Sequence, residues 1–256
     1  MGRPGRGGVI DPKADPLDSA YADAHFKERC RQLMTASRAR TVCEIGGGRS
    51  PLFGLDEVQA LGLEYTVLDI SAHELRRAPD GYTKVVGDIG ALDASSIADR
   101  YDFMFSRMVA EHVRDGAAMH RNVFGLLRPN GAAFHLFPTL FAPAFVLNRL
   151  LPEEAARRLV VALWPNRASE IPKFPVRYSK CFGPTPRMQR FFEGLGYGIE
   201  EYRPFYGTTY AHAVPVLGWL EAWFNRTMAR RRSTRFTSYT WLVLRKPRPR
   251  GATADG

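Results

Sequence analysis

Val42-Cys43-Glu44-Ile45-Gly46-Gly47-Gly48-Arg49-Ser50-Pro51 joins an apolar run to a turn of three glycines. Thr41 to Ile45 reads as a strand, and the glycines after it permit positive φ and leave no Cβ to block a ligand's approach. Ser50 followed by Pro51 reads as an N-cap and a first helical residue. A helix is therefore expected to start there, turning free N–H groups and a positive dipole end toward an anion. Two phosphate-binding loops fit poorly. In Gly-x-Gly-x-x-Gly counted from Gly46, the third glycine falls on Pro51, and no Gly-Lys pair precedes a Ser or Thr as a Walker loop requires.

Four further apolar runs follow: 64–69, 83–86, 101–105 and 131–137. Amphipathic stretches separate them, such as 115–127, which ends in Arg128-Pro129-Asn130-Gly131, a basic residue, a breaker and a turn glycine. Strands alternating with helices imply a mostly parallel sheet, whose ligands bind beyond the carboxyl ends of the strands. The rhythm breaks over proline-rich 138–190, with a helix expected at 144–164. It then resumes with strand 197–202, helix 216–230 and strand 236–245. The prediction is an α/β fold: a seven-stranded, mostly parallel sheet flanked by helices, with 138–190 as a helical cap inserted after strand five. Residues 21–245 form one domain, and 1–20 and 246–256 read as loose tails.

The residues just past each strand suggest what binds there. Glu44 precedes Gly46 and Gly48, Asp69 ends the second strand, Gly87-Asp88-Ile89 follows the third, and Ser106-Arg107-Met108-Val109-Ala110-Glu111-His112-Val113 follows the fourth. In this order the motifs resemble those of class I (Rossmann-like) S-adenosylmethionine-dependent methyltransferases over residues 40–137, and Leu127-Arg128-Pro129-Asn130-Gly131 resembles the family's turn before strand five. The segment from Ser106 is similar to the family's small-molecule branch. The departure is Arg49-Ser50-Pro51, where many members have another glycine, so the loop path there is open. The resemblance implies S-adenosylmethionine as cofactor. It places the glycine backbone beside the methionine part, Asp69 on the ribose hydroxyls and Asp88 near the adenine amino group. The implied cofactor set is Glu44, Gly46, Gly47, Gly48, Asp69, Ile70, Asp88, Ile89, Ser106 and Arg107. A carboxylate suits the ribose because it accepts two hydrogen bonds at once.

Methyl transfer to a hydroxyl is helped by a base, and by position the candidates are His112, His135, His212, Tyr206 and Tyr210. His112 and His135 are the two named here as catalytic. For His112 a structural or cofactor-adjacent role competes, and for His135, amid apolar neighbours, a role in the core competes. No Asp/Asn-Pro-Pro-Tyr-like segment follows strand four, which weighs against amino methylation of adenine or glutamine.

The bulk numbers bound the partners. The chain has 256 residues, 45% hydrophobic and 24% charged, and a net charge of +10 with Arg226, Arg230, Arg231, Arg232 and Arg235 clustered and a basic C-terminal end. Such clusters are usually solvated faces, and an anionic partner is the alternative. Cys30, Cys43 and Cys181 stand far apart and the six histidines lack metal-ligand spacing, so neither disulfide framework nor metal site is expected. No apolar signal core follows the first arginines, and prolines interrupt the apolar stretch 132–151, so neither secretion nor a membrane span is expected. A cytoplasmic protein fits, with peripheral contact at the inner membrane face as a further expectation. The apolar residues of 134–164 form either a cap packed on the core or a wall for an apolar substrate, and 214–228 with the arginines after it has the same amphipathic and basic character. The chain resembles bacterial methyltransferases of glycan or glycolipid modification, which makes a small molecule, sugar or glycolipid the expected acceptor. A non-catalytic membrane-surface or partner-binding protein and a nucleic-acid methyltransferase are the alternatives, with nucleic acid disfavoured. The sequence leaves the oligomeric state open.

Overall fold

Thr41–Ile45 (β1), Glu64–Asp69 (β2), Thr83–Val86 (β3), Tyr101–Arg107 (β4), Leu127–Pro138 (β5), Gly198–Phe205 (β6) and Tyr239–Arg245 (β7) form one seven-stranded sheet of order β3-β2-β1-β4-β5-β7-β6. β7 runs antiparallel to both β5 and β6, while the pairs among β1 to β5 are parallel. The computed structural model describes residues 19–93, 101–141, 175–207 and 215–248. The helix expected at 144–164, most of the cap, and Tyr210 and His212 lie outside the described residues.

The pleat sends alternate side chains to opposite faces, and along the central strands both faces are covered, which is why those strands are mostly apolar. Val42, Phe103, Phe105, Phe134, Leu136, Trp241 and Val243 meet Phe26, Cys30 and Met34 of the helix Phe26–Ser37 (α2, after Ser19–Ala24, α1). Cys43, Met104, Ala133, Phe137, Leu242 and Leu244 meet Met119, Val123 and Leu126 of Gly116–Leu126 (α5), and Met188 and Phe192 of Pro186–Gly194 (α6). Leu55–Ala60 (α3), Ala72–Arg77 (α4) and Pro215–Arg230 (α7) complete the helices among the described residues. Burial of each large side chain of this core is worth about 1.5–3 kcal/mol.

Register aligns the strand ends that matter. Ile45 pairs with Leu68 and with Ser106, and Asp69 pairs with Val86. The residues that leave β1, β2, β3 and β4 therefore emerge along one edge of the sheet.

Local chemistry explains where the elements begin. Asp115 caps α5, accepting the N–H groups of Ala117 and Ala118 at 2.9 Å each. Thr185 caps α6, with Pro186 in its first turn. The helix expected at Ser50-Pro51 does not start there. α3 begins at Leu55, four residues later, because the Glu44 carboxylate takes the Leu52 N–H (3.1 and 3.0 Å) and holds the chain in a non-helical loop. The Arg128–Gly131 turn is absorbed into the start of β5 as an irregularity: Tyr101 pairs with Leu127 but Phe103 with Ala132, and Asn130 adopts φ 68°. Lys246, assigned by composition to the tail, is anchored instead. Its Nζ donates to the Phe124 and Leu127 carbonyls at 2.8 and 2.7 Å, closing the end of α5.

Candidate active site

Two of the three positions in the glycine loop after β1 have no room for a side chain. Gly46 has φ +78°, donates its N–H to the Leu68 carbonyl at 2.7 Å, and lies so near Val109 that a Cβ would fall 2.3 Å from Val109 Cγ2. A Cβ at Gly47 would fall 2.9 Å from Glu44 Cδ and from Val67 Cγ1. At Gly48, φ +51°, it would sit 3.4 Å from Asp69 Oδ2. Glu44 braces this turn from beneath: it is buried, takes the Leu52 N–H, and accepts the Tyr65 hydroxyl at 2.6 Å. Burial pushes its carboxyl up, against the lowering pull of the Tyr65 and Leu52 hydrogen bonds. Glu44 thus shapes the loop rather than facing outward from it.

Past β2, Asp69 is half-buried. Its Oδ1 accepts the Ser71 N–H at 2.8 Å, and its Oδ2 is turned toward Gly48. Ile70 and Val86, at the ends of β2 and β3, are each 58% exposed, so two apolar side chains stand open near this carboxylate. Past β3, Asp88 Oδ1 accepts the Gly90 N–H at 2.8 Å, while Ile89 is buried and its carbonyl accepts Asn122 Nδ2 at 2.8 Å. A glycine turn with no room for a side chain at Gly46 and Gly47, a carboxylate oxygen facing it and apolar side chains open nearby suit a ligand with a sugar hydroxyl pair and a flat ring. These residues fit S-adenosylmethionine. Arg49, beside the loop, forms a two-point ion pair with Glu74 of α4 at 2.5 and 2.8 Å.

Past β4 the expected residues separate. Ser106 is fully buried, with its hydroxyl 2.8 Å from His135 Nδ1, and His135 is buried too. Burial pulls the His135 imidazole down to about 4, and His120, its edge-to-face neighbour at 5.3 Å, is pulled down by burial and then by His135. Ser106 and His135 therefore form a neutral pair in the core between the sheet and α5, with neither side chain open to a ligand. The cause is register: Ser106 and His135 are cross-strand partners whose side chains share the α5 face. Arg107, exposed, points to Asp23 at 3.5 Å. Tyr206 is likewise buried, its hydroxyl donating to the Ser233 carbonyl at 2.6 Å.

Met108, in the left-handed region at φ 55°, turns the chain from β4 into a 3-10 turn, Ala110–His112. That turn lies between the loop after β1 and the loop after β3: Val109 packs on Gly46, and Val113 fills the space a Cβ at Gly90 would need, 2.8 Å from Cγ1. His112 is partly exposed, its Nδ1 3.4 Å from the Pro175 carbonyl and its Nε2 3.8 Å from Glu111 Oε1. Glu111, to which the order of motifs gives no role of its own, is the notable group. It is 5% exposed, its backbone carbonyl accepts the Arg177 and Tyr178 N–H groups, and its buried Oε2 has no hydrogen-bond partner among the described residues. Burial pushes its carboxyl up to about 8. Charged residues are almost never fully buried unless paired; a glutamate amid apolar residues just past a strand end was the signal available.

Among the described residues no group of three or more His, Cys, Asp or Glu stands close enough to hold a metal ion, and no helix is long and apolar enough to cross a membrane.

Comparison with known proteins agrees with this architecture. Residues 20–175 match the family described as Methyltransferase domain. No curated protein matches the chain in sequence. Among solved structures, the S-adenosylmethionine-dependent methyltransferase from Mesorhizobium loti superposes with a TM-score of 0.51 at 19% identity, covering 90% of this chain and 99% of that one. The YcgJ protein from Bacillus subtilis gives 0.52 at 14%, covering 88% and 99%. The (4+2)-cyclase SpnF gives 0.52 at 12%, covering 94% and 86%. The last shows that fold alone does not name a reaction. The sequence match spans more than half of the chain, and on it the chain belongs to the Methyltransferase domain family, with the fold of the Mesorhizobium loti enzyme.

Proposed function

We propose that the chain is an S-adenosylmethionine-dependent methyltransferase acting on a hydroxyl of a small molecule, most specifically a sugar or glycolipid. The observation that carries the hydroxyl is Glu111: a buried carboxyl with a free oxygen, on the turn whose first residues press against Gly46. In this reading Gly46, Gly47 and Gly48 border the methionine part of the cofactor, Asp69 Oδ2 accepts from the ribose, Ile70 lies along the adenine and Asp88 approaches its amino group. Glu44 and Ile89 support these loops from behind, and Arg107 lies at the rim.

The bound cofactor supplies a methyl group on a cationic sulfur that departs as a neutral thioether. With the cofactor bound beside Gly46, Glu111 Oε2 would take the acceptor's hydroxyl proton, leaving the oxygen lone pair for the methyl group that the sulfonium gives up. His112, with its Nε2 3.8 Å from Glu111 Oε1, positions that carboxyl and faces the entering acceptor. A base raised toward neutral pH accepts a proton well, and alignment of the reactants supplies the rest. The glycan or glycolipid choice is supported by the residues around 134–164 and their resemblance to glycan-modifying enzymes. A cytoplasmic enzyme meeting its acceptor at a membrane face follows from the same reading.

The test is transfer of labelled methyl from S-adenosylmethionine to panels of sugars, glycolipids, amines and nucleic acids, by wild type and Glu111→Gln. An O-methyl ether as product, with kcat lowered about 100-fold or more in the variant and cofactor affinity unchanged, supports the reading. An N-methylated, C-methylated or nucleic-acid product overturns the hydroxyl assignment. No turnover in any class despite cofactor binding favours a non-catalytic binding protein.

A further inference from the structure

We propose that the exposed face of α7, with the arginine-rich turn after it, docks on an anionic lipid surface. Trp219 is 64% exposed and Trp223 58% exposed, and Arg226 and Arg230 are exposed as well. Their spacing, i, i+4, i+7 and i+11, puts all four on a single stripe of the helix. One end of the stripe is aromatic and the other is basic.

The basic end continues past the helix. Arg231, Arg232 and Arg235 are exposed, as is Phe236 at 41%. Phe236 packs edge-on against Phe224 of α7 at 6.0 Å, which fixes the turn to the helix as one surface. From Arg226 to Phe236 the chain holds five arginines and no acid, and among the described residues none of those five has a carboxylate partner. The helix itself carries a single acid, Glu221.

Charge complementarity picks the occupant. Five guanidinium groups with no carboxylate partner among the described residues suit an anionic surface, and two large exposed indoles beside them suit one with an apolar layer just beneath its charges. Anionic phospholipid headgroups over acyl chains offer both, and tryptophan with arginine on one helical stripe is the composition that lies in such an interface. Single-stranded nucleic acid also pairs arginine with aromatic stacking, but proteins that hold it track its backbone along a groove. The stripe here lies on the outside of a helix, which suits a plane.

The surface involves neither the glycine loop nor Glu111, so its test is read without turnover and is independent of the acceptor assignment. The full chain is sedimented with vesicles of phosphatidylglycerol and phosphatidylcholine, and with vesicles of phosphatidylcholine alone. Wild type is compared with Trp219→Ala/Trp223→Ala and with Arg226→Gln/Arg230→Gln, each checked for folding by its affinity for S-adenosylhomocysteine. The expected result is binding to the anionic vesicles, about tenfold or more weaker in either double variant, with little binding to the neutral ones. Unchanged binding by folded variants, equal binding to both vesicle types, or binding to a single-stranded oligonucleotide but to neither vesicle overturns the proposal.

Discussion

Val109 occupies the space that a side chain on Gly46 would need: a Cβ there would lie 2.3 Å from Val109 Cγ2, in a backbone conformation, φ +78°, that L residues rarely adopt. Gly46→Ala therefore meets two penalties at once, conformational and steric. The first is about 1–2 kcal/mol; the second is relieved by shortening the valine. The variant is expected to bind S-adenosylmethionine at least tenfold more weakly by calorimetric titration, and Gly46→Ala/Val109→Ala to recover part of the loss. Equal affinity in Gly46→Ala and wild type would show that the loop is not held against the turn.

Asp69 divides its two oxygens. Oδ1 accepts the Ser71 N–H, a local tie, and Oδ2 faces Gly48. If Oδ2 receives the ribose, Asp69→Ala removes charge-assisted hydrogen bonds worth about 1.5–3 kcal/mol, so affinity for S-adenosylmethionine and S-adenosylhomocysteine is expected to fall between about 10- and 150-fold by titration calorimetry. Asp69→Asn keeps one acceptor oxygen and is expected to fall between. A large drop in thermal stability with unchanged affinity would assign Asp69 to the loop alone.

The centre of the sheet was legible in the sequence because both of its faces are buried there. β1 to β5 are short segments in which apolar residues predominate, and Thr83–Val86 was placed to the residue. The acidic residues after the strands were legible because register brings strand ends to one edge. Three things were hidden. The start of α3 depended on Glu44 reaching eight residues ahead to Leu52, a tertiary hydrogen bond that outweighs the local Ser-Pro preference. The burial of the Ser106 side chain depended on which way one strand residue points, and a pleat puts neighbours on opposite faces, so position after a motif did not reveal it. The unpartnered Glu111 carboxyl was hidden for a third reason: its missing partner is a property of the packed interior.

Ser106 and His135 offer a test of that face assignment. Ser106→Ala leaves the buried His135 Nδ1 without its 2.8 Å contact, and an unsatisfied buried polar group costs about 1–3 kcal/mol. The expected outcome is a lower denaturation midpoint at pH 7 with cofactor affinity unchanged. The same histidine predicts a pH effect. Its folded pKa lies below the unfolded value, so the unfolded chain binds more protons between pH 6.5 and about 4, and stability falls as pH drops through that window. His135→Gln is expected to flatten that slope in denaturant titrations; loss of cofactor affinity in Ser106→Ala would return the hydroxyl to the binding site.

Glu111 carries the opposite sign. Its folded pKa, about 8, lies above the unfolded carboxylate value, so between about pH 4.5 and 8 the folded protein holds the proton that the unfolded chain gives up. Stability contributed by this group is present below the unfolded pKa and is lost as pH rises to about 8. Glu111→Gln cannot ionise, so it is expected to be more stable than wild type by a gap that widens across this window to a few kcal/mol. Catalysis runs the other way, because a base must first lose its proton: wild-type kcat/KM is expected to rise with pH and level off near 8, while the variant stays low and flat. Chemical denaturation and initial rates on one buffer series measure both. A burial role alone would give the stability gap without the rate inflection, and coincidence of the two transitions would tie the proton that destabilises the fold to the one that the acceptor surrenders.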